Sequence, residues 1–351
     1  MGKVIRVVLV LLVAVGGGGF GFLQVKQPAQ RPAPDLKVDR SPERVKRGDY
    51  LANHVYLCVG CHSEPDFETY GMPAKKGTEF GGGFCFNKQN VGFPGEVCAQ
   101  NLSSDPEVGI GAWSDGEILR AMREGVDRHG KAIFPMMPYE AMANMSDEDA
   151  ESVVAYLRTL PPIKNTRKEG HVDFPLSVIM KFIPKPLTGP VKGPDANDHV
   201  ARGKYLSYAC RECHTPIDNH NQMLPGKDFS GGHPYNLPGL SVVSANITFD
   251  DTGLGKTSRE QFLAKFTMWR GVQMPKVPVA ANTLMPWGDF SAMTDQDLSD
   301  LYDYLQTVPK VANVVQRRPP PEVPSKPAEV AGDGKPPTAA EAPNAEAGTA
   351  H

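Results

Sequence analysis

A pentapeptide of the form Cys-x-x-Cys-His occurs twice, as Cys58-Val59-Gly60-Cys61-His62 and as Cys210-Arg211-Glu212-Cys213-His214. Each copy stands at the same place in a longer repeat. Arg47-Gly48-Asp49-Tyr50-Leu51 returns ahead of it as Arg202-Gly203-Lys204-Tyr205-Leu206, and Met137-Pro138-Tyr139 returns behind it as Met285-Pro286-Trp287. A closing stretch follows both, from Met145-Ser146-Asp147-Glu148-Asp149 to Pro161 and from Met293-Thr294-Asp295-Gln296-Asp297 to Pro309. Chance does not keep three signatures in one order at offsets of 155, 148 and 148 residues, so the two halves are copies of one domain, residues 42–162 and 198–310.

The closing stretches read as helices. Ser146 and Thr294 stand as N-caps before acidic first turns, apolar residues recur at helical spacing (Val153, Val154, Leu157; Leu298, Leu301, Leu305), and proline ends both. Glu43–Leu57 and Val200–Ala209 read as helices leading into each pentapeptide, with further helices at Asp115–Glu124 and Ser258–Trp269. No segment shows the alternation of a substantial sheet, so each domain is expected to be mostly α.

Cys-x-x-Cys-His is the attachment motif of c-type haem. Two cysteines three apart on one turn add to the two vinyl groups, and the adjoining histidine points its imidazole at the iron. A redox dithiol or half of a zinc site has no use for an adjacent histidine in both copies. Two covalently bound haem c groups are therefore expected, on Cys58, Cys61 and His62 and on Cys210, Cys213 and His214. Met137 and Met285 are the candidates for the sixth iron ligand, 75 and 71 residues beyond their histidines. A thioether opposite imidazole raises the reduction potential and suits electron transfer. Met136, Met142, Met145, Met274 and Met293 compete, but methionine more often fills a core, and only Met137 and Met285 agree in residue and flank. His54 and His233 are held in reserve as alternative ligands. The carbonyls of Pro65 and Pro216 are candidates for orienting the proximal imidazoles, and Tyr139, Trp287, Trp113 and Trp269 are expected to keep water from the porphyrins.

The chain begins with Lys3 and Arg6 ahead of an apolar run, Val7 to Val25, broken by Gln24. Either a cleaved export signal or an uncleaved anchor fits, since about 20 apolar residues span a bilayer; the anchor is preferred, with Gly16–Gly19 its weak point. Both place the rest of the chain on the outer side of the membrane, in an oxidising compartment. Cys85 and Cys98 occur only in the first copy, and a disulfide between them is expected, worth on the order of 3 kcal/mol by loop closure. Residues 26–41 form a Pro-rich spacer. The connector 163–197 contains Phe174-Pro175-Leu176-Ser177-Val178-Ile179-Met180-Lys181-Phe182-Ile183-Pro184, too apolar for a free linker. It is expected to pack across the domain surfaces, with a membrane-surface contact as the rival reading. Residues 311–351, rich in Pro, Ala, Glu and Gly, are expected to be disordered. The balance of 37 basic against 40 acidic residues gives no footprint for nucleic acid.

The paired Cys-x-x-Cys-His, the Met-Pro-aromatic triplet and the closing helix ending in Tyr-Leu resemble the class I cytochrome c domain. More narrowly, they look like the multihaem cytochrome c subunits of membrane-bound alcohol and gluconate dehydrogenases. The resemblance covers residues 42–310. It implies a dihaem electron carrier, not itself an enzyme, on the periplasmic side of a bacterial inner membrane. Such a carrier works between a dehydrogenase or quinol donor and a downstream acceptor such as a terminal oxidase. Those subunits usually carry three haem domains, and this chain has two. The alternative is a haem enzyme, a dihaem peroxidase or thiosulfate-oxidising cytochrome, which needs one displaceable ligand; two equivalent Met-Pro-aromatic signatures argue against it.

Overall fold

The computed structural model describes residues 21–23, 25–91, 93–165, 170–218 and 222–318. Most of the apolar run 7–25 and residues 319–351 of the C-terminal stretch lie outside the described residues. Among those described, no helix is long and apolar enough to cross a membrane.

Both copies of the repeat fall within one compact unit, and each copy, called a domain below for its place in the repeat, is framed by two crossing helices. In the first, α1 (Pro42–Tyr50) has proline at the start, where its missing N–H is no loss, and runs on as π-helix from Leu51 to Val55. A left-handed Leu57 then turns the chain into α2 (Cys58–Cys61). Next come α3 (Asp115–Glu124), the one-turn α4 (Tyr139–Met142) and the closing helix α5 (Asp147–Leu157). The second domain repeats this order with α6 (His199–Leu206), α7 (Tyr208–His214), α8 (Arg259–Thr267), α9 (Trp287–Ser291) and the closing helix α10 (Asp295–Thr307). Ser146 and Thr294 cap as the sequence indicates, their side-chain oxygens accepting from the N–H groups of Asp149 and Asp297. Ser114 and Ser258 do the same for α3 and α8, each within a capping box.

Some strand is present where the sequence shows no alternation. β1 (Cys85–Asn87), β2 (Gly95–Cys98) and β3 (His171–Val172) form a small antiparallel sheet, and β4 (Pro234–Leu237) and β5 (Leu240–Val243) form a hairpin. Strands of two to four residues are too short to express a period of two. The Pro238-Gly239 pair, with Gly239 at φ +79°, is the turn signal that marks the second hairpin. Cys85 and Cys98 are disulfide-bonded directly across β1 and β2.

The frame depends on two glycines. A Cβ on Gly48 would lie 1.8 Å from the backbone oxygen of Ser152, and one on Gly203 would lie 1.9 Å from that of Asp300. Each leading helix therefore meets its closing helix backbone to backbone. The neighbouring arginines secure the crossings: Arg47 grips Asp149 with two bonds of 2.8 and 2.9 Å, and Arg202 bonds both Asp297 and Asp300 at 2.6 Å. Val153, Val154, Leu157 and Leu51 from the first copy and Leu298, Leu301, Leu305 and Leu206 from the second belong to one continuous core.

The tyrosine of the same motif reaches the other domain. Tyr50 donates to Asp297 at 2.6 Å and accepts from the Thr294 N–H at 3.2 Å. Tyr205 donates to Asp149 at 2.8 Å and accepts from the Ser146 N–H at 3.1 Å. Each hydroxyl thus sits at the N-terminus of the partner domain's closing helix, and the contact is reciprocal.

The flanking segments are tied down. Residues of the Pro-rich spacer lie along α3: Pro34 presses its carbonyl on Gly116, Val38 donates to Asp115, and Arg31 pairs with buried Glu124 at 2.7 Å. The connector packs on the first domain through β3 and through Val191, whose carbonyl accepts from Asp147. In the stretch beyond residue 310, Val311 and Asn313 are bound to the second domain, and the Arg318 guanidinium reaches the carbonyls of Ala280, Ala281 and Asn282. Residues 311–318 are thus held in place, against the expectation of disorder for the start of that stretch, because these groups find backbone partners rather than apolar burial.

Replacing Gly48 or Gly203 by alanine forces two helices apart and is expected to destabilise the protein by about 3 kcal/mol or more. Gly189→Ala, at a site with nothing within 4 Å, serves as the neutral control in denaturant unfolding. Tyr50→Phe and Tyr205→Phe each leave a buried carboxylate short of a donor and are expected to cost about 1–2 kcal/mol, read from the same curves.

Candidate functional site

The two attachment turns are built alike but entered differently. Cys58 follows Gly48 by ten positions, whereas Cys210 follows Gly203 by seven. The first domain absorbs its three extra residues in the π-helical turn 51–55, a device found often beside functional sites. One of the extra residues is His54, whose Nδ1 lies 2.8 Å from the Asp289 carbonyl of the second domain. His54 thus serves the domain contact, a role its reserve status as a ligand did not anticipate.

The two motif histidines, His62 buried and His214 half-buried, are oriented in the same way. The Nδ1 of His62 is 2.7 Å from the carbonyl of Gln100, and that of His214 is 2.7 Å from the carbonyl of Ala245. With Nδ1–H donating to a carbonyl, Nε2 is the nitrogen left for a metal. The orienting carbonyls are therefore those of Gln100 and Ala245, not of Pro65 and Pro216. Pro65 instead bridges to Ala74, and the Pro216 carbonyl accepts from Leu224. Burial lowers the pKa of both imidazoles, which favours the neutral, metal-binding form. Burial also pushes the Cys58 and Cys210 thiols up to about 12. None of Cys58, Cys61, Cys210 and Cys213 is in a disulfide, so four thiols and two imidazoles are available together. That donor set fits two covalently attached haems.

The Met-Pro-aromatic triplets share one backbone conformation. Pro138 has φ −82° and ψ 52°, Pro286 φ −82° and ψ 67°. In each, the aromatic residue's N–H returns to the methionine carbonyl, at 2.8 Å in Tyr139 and 2.9 Å in Trp287. These are inverse γ-turns, and both lead directly into the one-turn helices α4 and α9. Met137 and Met285 are partly buried against the core. Their competitors have other places: Met142, Met145 and Met293 are core residues and Met136 is exposed, while Met274 lies against Gly288.

The aromatic residues around these turns divide as follows. Tyr139 is buried with its ring on Gly125, where a Cβ would come within 2.5 Å, and its hydroxyl has no protein partner. Trp113 and Trp287 pack on the core, and Trp287 meets Phe266 at 5.5 Å. Trp269 instead meets Tyr70 of the first domain at 5.4 Å. His233 stacks on Tyr235 at 4.5 Å, in the position that Phe84 and Phe86 occupy in the first copy.

The second Met-Pro loop is braced by the first domain. Asn282 holds the backbone of Phe67, Thr69 and Gly71, the Tyr70 N–H donates to the Pro275 carbonyl, and the Val277 N–H donates to that of Glu68. Sequence reading missed Asn282, Gln100 and Ala245, since two of the three act through backbone carbonyls that any residue supplies.

No family model matches the chain. It is 27% identical over 292 residues, 78% of its length, to the cytochrome c subunit of a quinone-dependent alcohol dehydrogenase from Gluconobacter oxydans, of which this covers 56%. It is 32% identical over 241 residues to the gluconate 2-dehydrogenase cytochrome c subunit of Pantoea cypripedii, 62% of this chain and 50% of that one. A dihaem c-type cytochrome of Cereibacter sphaeroides is 29% identical over 264 residues, 72% of this chain and 82% of that protein. The chain spans about half to three-fifths of the length of the dehydrogenase subunits. It resembles the cytochrome c subunits of these dehydrogenases and a dihaem cytochrome c, as the repeated motifs imply.

Beside the second loop, burial raises the Asp289 carboxyl to about 6 from an ordinary 3.8, and the pull of His54 only partly opposes it. A folded pKa above the unfolded one means that ionisation disfavours the fold. The penalty is absent below about pH 4, grows as pH rises through 4 to 6, and is complete above 6. Asp289→Asn is expected to be about 1–3 kcal/mol more stable than the parent above pH 6 and to converge with it below pH 4, measured by denaturant unfolding across that range.

Proposed function

We propose that the chain is a dihaem c-type electron carrier, an electron-relay protein without substrate chemistry of its own. Bound haem supplies a reversible one-electron iron couple at each site. Cys58 and Cys61 would hold the first haem by thioether bonds, with His62 and Met137 as the residues that would bind its iron. Cys210, Cys213, His214 and Met285 would do the same for the second. The observation that carries this reading is the equivalence of the halves: the same 2.7 Å histidine–carbonyl bond and the same Met-Pro-aromatic turn occur in both.

The protein's part is to bind, orient and exclude water. The Gln100 and Ala245 carbonyls fix the imidazole planes and raise their basicity as ligands. Neutral thioether sulfur favours the reduced iron and so a higher potential. Tyr139 and Trp287, fixed by the γ-turns, close the methionine side against solvent. The similarity to dehydrogenase cytochrome subunits supports a dehydrogenase as electron donor, with a quinol-oxidising complex or terminal oxidase as further candidate partners. The apolar run 7–25, preceded by Lys3 and Arg6, supports placement on the periplasmic side of the inner membrane with that run as anchor.

Purified protein is expected to carry a mass increment of two haems that survives acid and detergent. The oxidised spectrum is expected to show the weak far-red band of methionine ligation. Met137→His and Met285→His each remove about half of that band and shift one of two potentials negative. A spectrum and titration unchanged by both substitutions overturns the ligand assignment.

A further inference from the structure

The connector does not bury its apolar residues as a packed linker should. Val178 is buried and pins the segment to the protein body, whereas Phe174 is 69% exposed, Ile179 50% and Phe182 54%. Ile179 and Phe182 are three apart on consecutive helical turns, Leu176–Ile179 and Met180–Phe182, and so share a face. The other large exposed apolar residues nearby are Phe22, 60% exposed, and Val25, 72%.

These two sets are one surface, because contacts join them. The Lys181 ammonium donates to the Leu23 carbonyl at 3.1 Å, and the Lys26 ammonium lies 6.0 Å from the centre of the Phe182 ring. The Lys26 N–H returns to the Phe22 carbonyl at 2.9 Å, placing Phe22 on the same turn. Asp173 faces His171 at 3.6 Å and Glu140 faces Lys185 at 3.6 Å, while Lys26 and Lys181 are the cations on the patch itself. The apolar run 7–25 joins the described chain at this point.

We propose that Phe22, Val25, Phe174, Ile179 and Phe182, with Lys26 and Lys181, form a seat on the surface of an anionic phospholipid bilayer. The inference deepens the proposal that residues 7–25 lie in the membrane: a chain leaving the bilayer at residue 25 brings the connector to the headgroup level. Aromatic and aliphatic side chains enter the acyl boundary there, the Lys26 ammonium extends to lipid phosphates, and Lys181 ties the connector to the segment that carries Phe22 and Val25. An isolated anchor leaves the domains free to tumble on a tether. A second contact 150 residues later in sequence, at residues 174–182, fixes which face of the protein is turned to the membrane.

The full-length holoprotein is reconstituted in vesicles of phosphatidylglycerol and phosphatidylethanolamine containing a phospholipid with a photoactivatable diazirine in its acyl chain, and adducts are mapped by peptide mass. Adducts in both 7–25 and 174–182 are expected. The variant Phe174→Ser/Ile179→Ser/Phe182→Ser is expected to lose labelling at 174–182 while keeping that of 7–25 and an unaltered haem spectrum. Adducts in 7–25 alone overturn the seat and leave the anchor standing. Adducts in 174–182 alone uphold the seat and overturn the anchor, and adducts in neither, as when another protein covers this face, overturn both.

Discussion

A backbone carbonyl pressed onto a glycine is the contact from which each domain is hung. At Gly48 and Ser152, and again at Gly203 and Asp300, no side chain fits between the leading and closing helices. The four-residue motif Arg-Gly-x-Tyr does three things in succession around that point. Its arginine pairs with carboxylates of its own closing helix, its glycine lets the helices touch, and its tyrosine crosses to the other domain. Internal packing and the mutual orientation of the domains are therefore fixed by the same turn of helix. Removing the glycine disturbs both at once.

Duplication gave two sites with one backbone and different surroundings. The γ-turns at Pro138 and Pro286 are the same, as are the histidine–carbonyl bonds. Outside them the copies diverge. The loop carrying Met285 is braced by Phe67–Gly71 of the first domain, whereas on the first domain Gln30 donates to the Gly130 carbonyl and Arg31 pairs with Glu124 from the N-terminal segment. The first copy carries the Cys85–Cys98 disulfide, and the second has His233 stacked on Tyr235 where the first has Phe84 and Phe86. On the electron-carrier reading, such differences in charge, hydrogen bonding and exposure would be the levers that set two potentials with one ligand set.

Much of this was legible because it is written in residue types that have few other uses. Cys-x-x-Cys-His, the capping Ser146 and Thr294, and the apolar spacing of the closing helices each leave a local signature. The Arg-Gly-x-Tyr repeat was visible as a repeat, but its purpose was not, since the partners of Gly48 and Tyr50 lie about 100 and 247 residues away. The orienting carbonyls of Gln100 and Ala245 leave no trace in the side chains that carry them. The short strands fall below the length at which alternation can be read. The connector's composition signalled burial, yet only Val178 of its large apolar residues is buried, because a run rich in apolar residues does not say whether protein or lipid will cover it.

The domain contact also decides how the attachment turns face each other. Tyr56 and Tyr208 stand two residues ahead of Cys58 and Cys210, and their rings meet across the boundary at 5.8 Å with 30° between planes. Both are held by a contact that is hydrogen-bonded at each end, through Tyr50 to α10 and through Tyr205 to α5. The segments leading into the two turns thereby meet across the interface. On the electron-carrier reading, exchange between the two sites is then a step within one compact unit, independent of protein concentration, and only entry and exit of electrons require a partner. A flexible linker between two independent domains would make the internal step depend on a chance encounter, and the reciprocal tyrosine contacts remove that dependence.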